Sequence, residues 1–304
     1  MFEKCDIVYS NDNEKCAPGI KFNEGSCFNI EQLIHITKLY NKHNLDNQII
    51  ISDNKNKKEL LKLLIKKLEK KYDCKDQKCW IEKINFIKSD YNLKHFVFRP
   101  KGPINTNKWL STKDIDKSLK QYEKKYKKFF YLGTLPNDFK YLDYYGVWNY
   151  DFLKKVKNGI CKFGSVINLD NHNQSGSHWV SLYFDINEKK IYYFDSFAKK
   201  PGKRISEFIE KIIKLMDNNT ENIFKKYNNK KKYLLTNEII EEIKLKTNVD
   251  YRINNIRHQF KNSECGVYSM NFIIRLLNNE SFDNITKNVT NDDYMNNCRN
   301  TYFR

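Results

Sequence analysis

The sequence predicts an α+β fold, and three observations support this. Residues 159–200 contain short runs of aromatic and β-branched side chains, a pattern typical of neighbouring strands. Amphipathic helical patterns lie both before and after this stretch. A Pro-Lys-Gly-Pro stretch at Pro100–Pro103 separates a helix-rich first part from a mixed second part. Strands and helices in this order indicate an α+β domain that follows a helical extension.

The first part, residues 1–104, is predicted to be a helical amino-terminal extension. Residues 28–43 and 55–72 repeat Ile and Leu at helical spacing, and the second of these ranges is very basic on its other side. Residues 79–87 predict a third helix. Because amphipathic helices usually bury their apolar face, we expect an arm packed on the main domain.

The second part, residues 105–304, is the predicted main domain. Its pattern predicts these elements in chain order: a helix over 114–130, a turn at 133–136, strands within 159–200, a helix over 203–216, a basic loop at 225–232, a helix near 238–246, a strand at 251–256 and an apolar helix over 265–277. The tail after Asn278 is polar and carries no clear pattern.

The chain is strongly basic. Its 304 residues include 55 Lys and Arg against 37 Asp and Glu, a formal net charge of +18. Such an excess attracts anionic partners such as nucleic acid or acidic protein segments. A general bias toward Lys and Asn is the favoured explanation of the charge, and a dedicated nucleic-acid site is the alternative.

Eight cysteines are scattered along the chain without a CxxC pair, at Cys5, Cys16, Cys27, Cys74, Cys79, Cys161, Cys265 and Cys298. The pair Cys74 and Cys79 lacks a second pair at the spacing of a zinc finger, so we predict no metal site. The first residues are too polar for a signal peptide, and no apolar run reaches the ~18–20 residues that a membrane span requires. We therefore expect a soluble protein without a membrane span, made in a reducing compartment where a free thiol can serve chemistry.

A predicted hairpin brings a histidine and an aspartate together. Residues 179–184 and 191–194 are the two strands, and polar residues join them. If the turn centres between Ile186 and Asn187, paired residues have indices that sum to 373, which pairs His178 with Asp195. A carboxylate there can accept the imidazole Nδ1–H, fix the tautomer and stabilise the imidazolium.

A cysteine lies at the predicted start of the apolar helix. At a helix amino terminus the dipole and the free N–H groups favour the thiolate of Cys265, and a nearby protonated histidine favours it further. Gly266 permits a close approach of backbone and substrate. Gln259, six residues upstream, can donate from its amide to an oxyanion, together with the backbone N–H of Cys265.

Each of these residues alone has a simpler explanation. Cys265 could be a small buried hydrophobe, and His178 a packed residue at a strand end. Asp195 could cap a turn, and Gln259 could be a solvated loop residue. The set as a whole predicts nucleophilic catalysis, because we know of no structural requirement that demands this combination.

The set resembles the SUMO-specific protease family and the related adenoviral endopeptidase. The shared pattern is His178-Trp179, an Asp seventeen residues on, and a Gln six residues before Cys265-Gly266. This resemblance implies a papain-like cysteine protease core, with a central mixed sheet flanked by helices and the catalytic Cys at a helix amino terminus. It further implies a catalytic set of His178, Asp195, Cys265 and Gln259 and no cofactor. It also implies that Trp109, in a Trp-Leu-Ser segment, and Trp179 bind substrate as the walls of a narrow tunnel. Two tryptophans of the hydrophobic core would give the same sequence pattern.

The segments 130–139, 168–170, 176–179 and 264–268 are most similar to the protease branch of large DNA viruses. That branch implies an endopeptidase that cleaves after small residues, of Gly-Gly-X or Ala-Gly-X type, in core and structural polyproteins during virion maturation. It also implies a place in the virion and in the viral factory of the host cytoplasm, with DNA or the virion core as a possible partner of the basic surface.

Two alternatives remain open. Members of the cellular branch usually carry an Asn four residues before the Cys and an Asp directly before it, where this chain has Lys261 and Glu264. These departures weaken the first alternative, which is a protease that deconjugates SUMO or ubiquitin-like proteins. The second alternative is a catalytically silent protein that binds nucleic acid or the virion core.

Overall fold

The computed structural model describes residues 5–6, 14–51, 56–227 and 236–304. They divide into two compact units. One combines Met1–Ile7 with Gly102–Thr301, and the other combines Val8–Lys101 with Tyr302–Arg304. We refer to them as the sheet unit and the helical unit.

The helical unit contains α1 (Ile30–Lys42), α2 (Lys57–Tyr72), α3 (Gln77–Lys83), α4 (Asn85–Lys88) and α5 (Tyr91–Phe96). The predicted helices at 28–43 and 55–72 are confirmed as α1 and α2. The single helix predicted over 79–87 is wrong, because Ile84 adopts an extended conformation that separates α3 from α4. Buried apolar residues of these helices, among them Leu64 and Trp80, form the core of the unit.

The sheet unit contains the remaining helices of the described chain. They are α6 (Thr112–Lys125), α7 (Phe152–Lys157), α8 (Lys203–Met216), α9 (Thr220–Tyr227), α10 (Asn237–Lys246), α11 (Cys265–Leu277), α12 (Phe282–Lys287) and α13 (Asp292–Tyr302), whose last residue belongs to the helical unit. The predicted helices at 203–216, 238–246 and 265–277 are confirmed as α8, α10 and α11.

A mixed sheet forms the centre of this unit. Its strands are β1 (Phe129–Leu135), β2 (Lys162–Asn168), β3 (Trp179–Asp185), β4 (Lys190–Phe194) and β5 (Asp250–Ile253). They lie side by side in chain order. The outer pairs β1–β2 and β4–β5 are parallel, and the inner pairs are antiparallel. The predicted α+β fold with a mixed central sheet is confirmed.

Helices cover both faces of the sheet. Because side chains alternate along a strand, Val180, Leu182 and Phe184 point to one face, where they join the same buried cluster as α8. On the opposite face Phe194 stacks on Phe272 of α11, with ring centroids 4.8 Å apart. Helix α11 is buried along its whole length, which explains why most of its residues are apolar.

Some boundaries differ from the prediction. The helix predicted over 114–130 ends at Lys125, and the turn predicted at 133–136 is largely strand β1. Gly133 continues the strand with a φ of 104°, at an irregularity in the β1–β2 register that the pattern does not reveal. The predicted basic loop at 225–232 begins inside α9, and its residues 228–232 lie outside the described residues.

The tail after Asn278 is more ordered than its polar sequence suggests. It contains α12, which begins with Ser281 as its cap, and α13. Helix α13 buries Met295 and Cys298 together with the charged side chain of Arg299. A polar helix whose buried face includes an ion pair gives no clear apolar stripe, so the periodicity did not reveal it.

The cysteines correct one expectation. A chain made in a reducing compartment is not expected to carry disulfides. All eight cysteines lie within the described residues, and six of them form disulfides, at Cys5–Cys298, Cys16–Cys27 and Cys74–Cys79. Cys161 and Cys265 stay free. The folded chain therefore contains bonds that need an oxidant to form. Within the described part of the chain, no helix has the length and apolar character to cross a membrane.

Candidate active site

The hairpin of β3 and β4 brings the predicted histidine and aspartate together. His178 directly precedes β3 and Asp195 directly follows β4. His178 Nε2 lies 2.7 Å from Asp195 Oδ1, and both side chains are buried.

The predicted register of this hairpin is wrong by two residues. Ser181 pairs with Phe194, so the indices of paired residues sum to 375 and not to 373. The cause is the turn, where Asp185 Oδ1 accepts hydrogen bonds from the N–H groups of Asn187 and Glu188. A shift of two residues leaves every side chain on its predicted face, because the period of a strand is two. His178 therefore reaches Asp195 diagonally.

The ring nitrogen that faces Asp195 also differs from the prediction. Nδ1 was expected, but the structure has Nε2 in this place, so Nδ1 is the ring nitrogen that Asp195 does not use. Burial of the ring opposes protonation, yet hydrogen bonds to Asp195 and Cys265 and the charges of both groups outweigh it and raise the pKa of His178 to about 9. The imidazolium is therefore the favoured form at neutral pH.

Backbone and side-chain contacts fix the Asp195 carboxylate. Oδ1 accepts a second hydrogen bond from the N–H of Phe197 at 2.7 Å. Asn254 binds the backbone of Asp195 from both sides, accepting from its N–H at 2.9 Å and donating to its carbonyl at 2.8 Å. The ring of Phe197 stacks on the His178 ring with centroids 4.5 Å apart. Asn254 and Phe197 were not predicted from the sequence, where their only signal is their position near a strand end.

Cys265 is the first residue of α11 and is buried. Gly266 follows in a tightly packed place. A Cβ atom there would come within 3.2 Å of both Leu110 Cβ and Trp179 Cδ1. The close packing therefore favours glycine beside the thiol, because any larger residue would have to displace Leu110 or Trp179 slightly.

Gln259 is buried, and both ends of its amide are bonded. Its Oε1 accepts from Ser196 Oγ at 2.7 Å, and its Nε2 donates to the carbonyl of Lys261 at 2.7 Å. An amide nitrogen carries two N–H groups, so one donor is left after this bond. Ser196 was also missed in the sequence, where it is one serine among many.

Trp109 and Trp179 line the same cleft, which has a volume of about 450 Å³. Trp179 is buried and donates from Nε1 to the carbonyl of Leu110 at 3.1 Å, whereas Trp109 is 47% exposed. Asn168, Asp170 and Gly176, from segments that carried the family resemblance, line the cleft as well.

Comparison with known proteins agrees with this geometry. Residues 166–303 match the family model described as the Ulp1 protease family, C-terminal catalytic domain. A putative thiol protease of Acanthamoeba polyphaga mimivirus is 32% identical over 296 residues, which are 92% of this chain and 89% of that protein. The chain belongs to the Ulp1 protease family. It is a viral cysteine protease, and the region that matches the family model includes His178, Asp195, Gln259 and Cys265.

Further relatives of this Ulp1-family chain come from African swine fever virus. A protein named SUMO-1 cysteine protease, from the Kenya isolate, is 26% identical over 221 residues, which are 68% of this chain and 72% of that protein. The crystal structure of an African swine fever virus protease superimposes with a TM-score of 0.62 at 20% identity, over 100% of this chain and 99% of that one. At that identity the likeness concerns the fold, and it confirms the fold expected from the resemblance.

Proposed function

We propose that this protein is an endopeptidase in which Cys265 is the nucleophile, His178 its acid and base, and Asp195 the group that orients the histidine. The observation that carries the proposal is the position of His178, which is bonded through Nε2 to Asp195 and whose pKa is raised by both Asp195 and Cys265. A thiolate held next to an imidazolium at a helix start is the arrangement that nucleophilic catalysis requires.

The reaction follows from these positions. The Cys265 thiolate adds to the scissile carbonyl, and the negative charge moves to the carbonyl oxygen. The free amide N–H of Gln259 and the backbone N–H of Cys265 stabilise that oxyanion. His178 then gives its proton to the departing amine as the C–N bond breaks, which leaves a thioester. Water attacks the thioester with His178 as base, and the acid product and the thiol are released.

The cleft supports cleavage after small residues. Trp179 is held in place by Leu110, and Trp109 forms part of the same cleft wall. A substrate tail that passes between these two indoles would need small side chains such as Gly or Ala, because bulkier ones would collide with the rings. We assign the enzyme to sites of Gly-Gly-X or Ala-Gly-X type in viral core and structural polyproteins, cleaved during virion maturation in the virion and the viral factory of the host cytoplasm.

The second candidate function is removal of SUMO or a ubiquitin-like protein. It is favoured by the name of the African swine fever virus relative, a SUMO-1 cysteine protease. An experiment that separates the two functions gives the purified enzyme Gly-Gly-X and Ala-Gly-X peptides together with SUMO and ubiquitin conjugates. Cleavage of the peptides alone supports maturation, and faster cleavage of a conjugate supports deconjugation. Family membership and the assembled side chains disfavour the catalytically silent protein.

The basic face of α2 supports DNA or the virion core as an additional partner. Lys58, Lys62, Lys66 and Lys70 are exposed and follow one another at intervals of four residues, so they lie in one row along the helix. Like charges in such a row repel one another, and a polyanion removes the repulsion. Cleavage rates measured with and without duplex DNA at low salt test this, and equal rates would exclude DNA as an activator.

The experiment that tests the main proposal is identification of cleavage sites. Virion core proteins are incubated with the active chain or with its Cys265→Ala variant, and new amino termini are identified by mass spectrometry. We expect new termini that follow Gly or Ala in the first sample and none in the second. The same termini in both samples would remove Cys265 from the reaction.

A further inference from the structure

A buried ion pair lies directly beside the proposed nucleophile and has no part in the reaction described above. Glu264, the residue before Cys265, is 1% exposed, and Arg299 of α13 is 0% exposed. Arg299 Nε donates to Glu264 Oε2 at 2.8 Å, and Nη2 donates to Oε1 at 2.9 Å. This forked geometry is the strongest form of contact between an arginine and a carboxylate.

Helix α13 also binds residues 103–106, which lead to Trp109 in the cleft and are called the cleft segment below. Arg299 Nη1 donates to the carbonyl of Pro103 at 3.2 Å. Asn296, three residues earlier on the helix, donates from Nδ2 to the carbonyl of Thr106 at 3.0 Å and to Glu264 Oε1 at 2.9 Å. Because residues three apart share a helix face, one face of α13 binds both Glu264 and the chain that continues to Trp109.

Helix α13 also reaches the loop after the proposed oxyanion donor. The carboxylate of Asp292 accepts from the N–H of Phe260 at 2.9 Å and from the N–H of Lys261 at 3.0 Å. These residues directly follow Gln259. The start of α11, the cleft segment and the Gln259 loop are therefore all attached to one helix.

The position of Glu264 has an electrostatic consequence. A buried carboxylate in sequence next to a thiolate opposes the negative charge on sulfur unless a cation compensates it. Arg299 supplies that cation. Of the charged groups on neighbouring elements, His178 interacts with the thiol and Asp195 bonds to His178, whereas Asp292 of α13 bonds to the N–H groups of Phe260 and Lys261.

We infer that Glu264 and Arg299 are a pair of positioning residues, which hold the amino end of α11 against the cleft segment and keep the charge beside Cys265 balanced. Neither side chain touches substrate in this role. The inference rests on the proposed function of Cys265 as nucleophile.

Opposite shifts in thiol reactivity test the pair. Arg299→Met leaves a buried, uncompensated carboxylate, so the pH midpoint of alkylation of Cys265 rises by roughly one unit or more. Glu264→Gln leaves an uncompensated guanidinium, so the midpoint falls. The double variant Glu264→Gln/Arg299→Met removes both charges, and its midpoint returns toward the wild-type value. Alkylation of Cys265 is followed by mass spectrometry of its peptide with iodoacetamide as the probe.

The kinetic readout separates positioning from substrate binding. Arg299→Lys keeps the positive charge but loses the paired hydrogen bonds to Glu264. We therefore expect an unchanged pH midpoint of alkylation. The value of kcat should fall about tenfold, with a smaller change in KM. If Arg299→Met does not fold, the double variant and Arg299→Lys still decide the question, because the proposal expects near wild-type midpoints from both and a lower kcat from Arg299→Lys.

A matched control lies near the carboxyl end of α11, the helix that begins at Cys265. Arg275 of α11 is also buried, and its Nε donates to Glu280 Oε2 at 2.6 Å. It lies ten residues after Cys265, which is about 15 Å along a helix. Arg275→Met should lower thermal stability and leave the alkylation midpoint unchanged.

Two outcomes overturn the inference. One is a midpoint that shifts in the same direction in both single variants, and the other is no shift in either of them. Failure of the proposed function looks different, since complete alkylation of Cys265 would then leave protease activity intact, whatever the Arg299 variants do.

Discussion

Ser196 Oγ donates a hydrogen bond of 2.7 Å to Gln259 Oε1, and both residues are buried. The carbonyl of Ser196 also accepts the N–H of Gln259 at 3.0 Å. Because the Ser196 hydroxyl donates to the amide oxygen of Gln259, the amide nitrogen of Gln259 is the end that can donate to a carbonyl oxygen or an oxyanion. Two consecutive residues therefore orient the site, since Asp195 binds His178 and Ser196 binds Gln259, the proposed oxyanion donor.

The first prediction concerns this amide. Gln259→Ala should lower kcat by roughly 10²–10³, because an oxyanion donor acts mainly in the transition state. Ser196→Ala removes the hydrogen bond to the amide oxygen but leaves the bond from the amide nitrogen to Lys261, so we expect a loss of about fivefold, which corresponds to one hydrogen bond of roughly 1 kcal/mol. Steady-state kinetics on a Gly-Gly-X peptide measures both.

Ser181→Ala is the matched control for Ser196→Ala. Ser181 is a buried serine of β3 whose hydroxyl has no hydrogen-bond partner among the described residues. Its loss should leave kcat unchanged. An equal loss of kcat in both serine variants would show that the effect of Ser196 is one of packing.

The second prediction separates the two free thiols. Cys265→Ala should abolish cleavage while the melting temperature changes little, because the thiol is small and its role is chemical. Cys161→Ala removes the other free cysteine, which lies just before β2, and should leave activity near the wild-type value. Cleavage by Cys265→Ala would exclude Cys265 as the nucleophile.

Local sequence patterns predicted the elements on which the site is built, but not the contacts that hold it. The apolar run after Gly266 predicted α11, and the two aromatic runs predicted the hairpin, because in both cases burial imposes a visible period. The register was wrong because it depends on the Asp185 turn, whose hydrogen bonds leave no periodic signal. The family resemblance predicted which residue types form the site and how far apart they lie along the chain, namely His178, Asp195, Gln259 and Cys265.

The supporting residues were not predictable for a physical reason. Asn254 and Arg299 act through contacts with residues 59 and 35 positions away along the chain. Such partners have no local signature, since any polar residue in a loop or helix reads as solvated until the fold is known. Helix α13 was missed for the same reason, because its buried arginine looks like a surface charge.

The third prediction concerns the carboxylate. Asp195→Asn keeps the shape of the side chain but removes the charge that stabilises the imidazolium, so kcat should fall by orders of magnitude, about 10⁴ in the analogous serine protease. Asn254→Ala, which removes only backbone support for Asp195, should cost far less. Single-turnover cleavage rates measure both variants, and equal losses would mean that Asp195 acts through fold alone.

The fourth prediction concerns pH. Since the pKa of His178 is raised to about 9 from its usual value of 6.5, its stabilising contribution is fully present below pH 6.5 and is lost as pH rises through 9. The active imidazolium is lost over the same upper range, so kcat/KM should decline above about pH 9. Burial lowers the pKa of the nearby His258, which therefore stays neutral across this range and does not contribute to that decline.

Histidine NMR on the Cys265→Ala variant tests the cause of the raised pKa. Part of the shift comes from the hydrogen bond and the charge of Cys265, so its removal should move the titration of His178 to lower pH. The titration of His258 serves as the internal reference and should not move. An unchanged His178 titration would show that the thiol does not interact with the ring.

The last prediction concerns the disulfide between Cys5 and Cys298, which joins residues 293 positions apart and includes a residue of α13. Closing so long a loop restricts the unfolded chain, so Cys5→Ser/Cys298→Ser should lower the free energy of unfolding by about 2–4 kcal/mol. Urea denaturation without reductant measures the loss, and Cys161→Ser is the control for loss of a buried thiol. Because Cys298 directly precedes Arg299, kcat should fall in the double serine variant as well. A variant that loses stability but keeps full kcat would show that α13 holds its position without the disulfide.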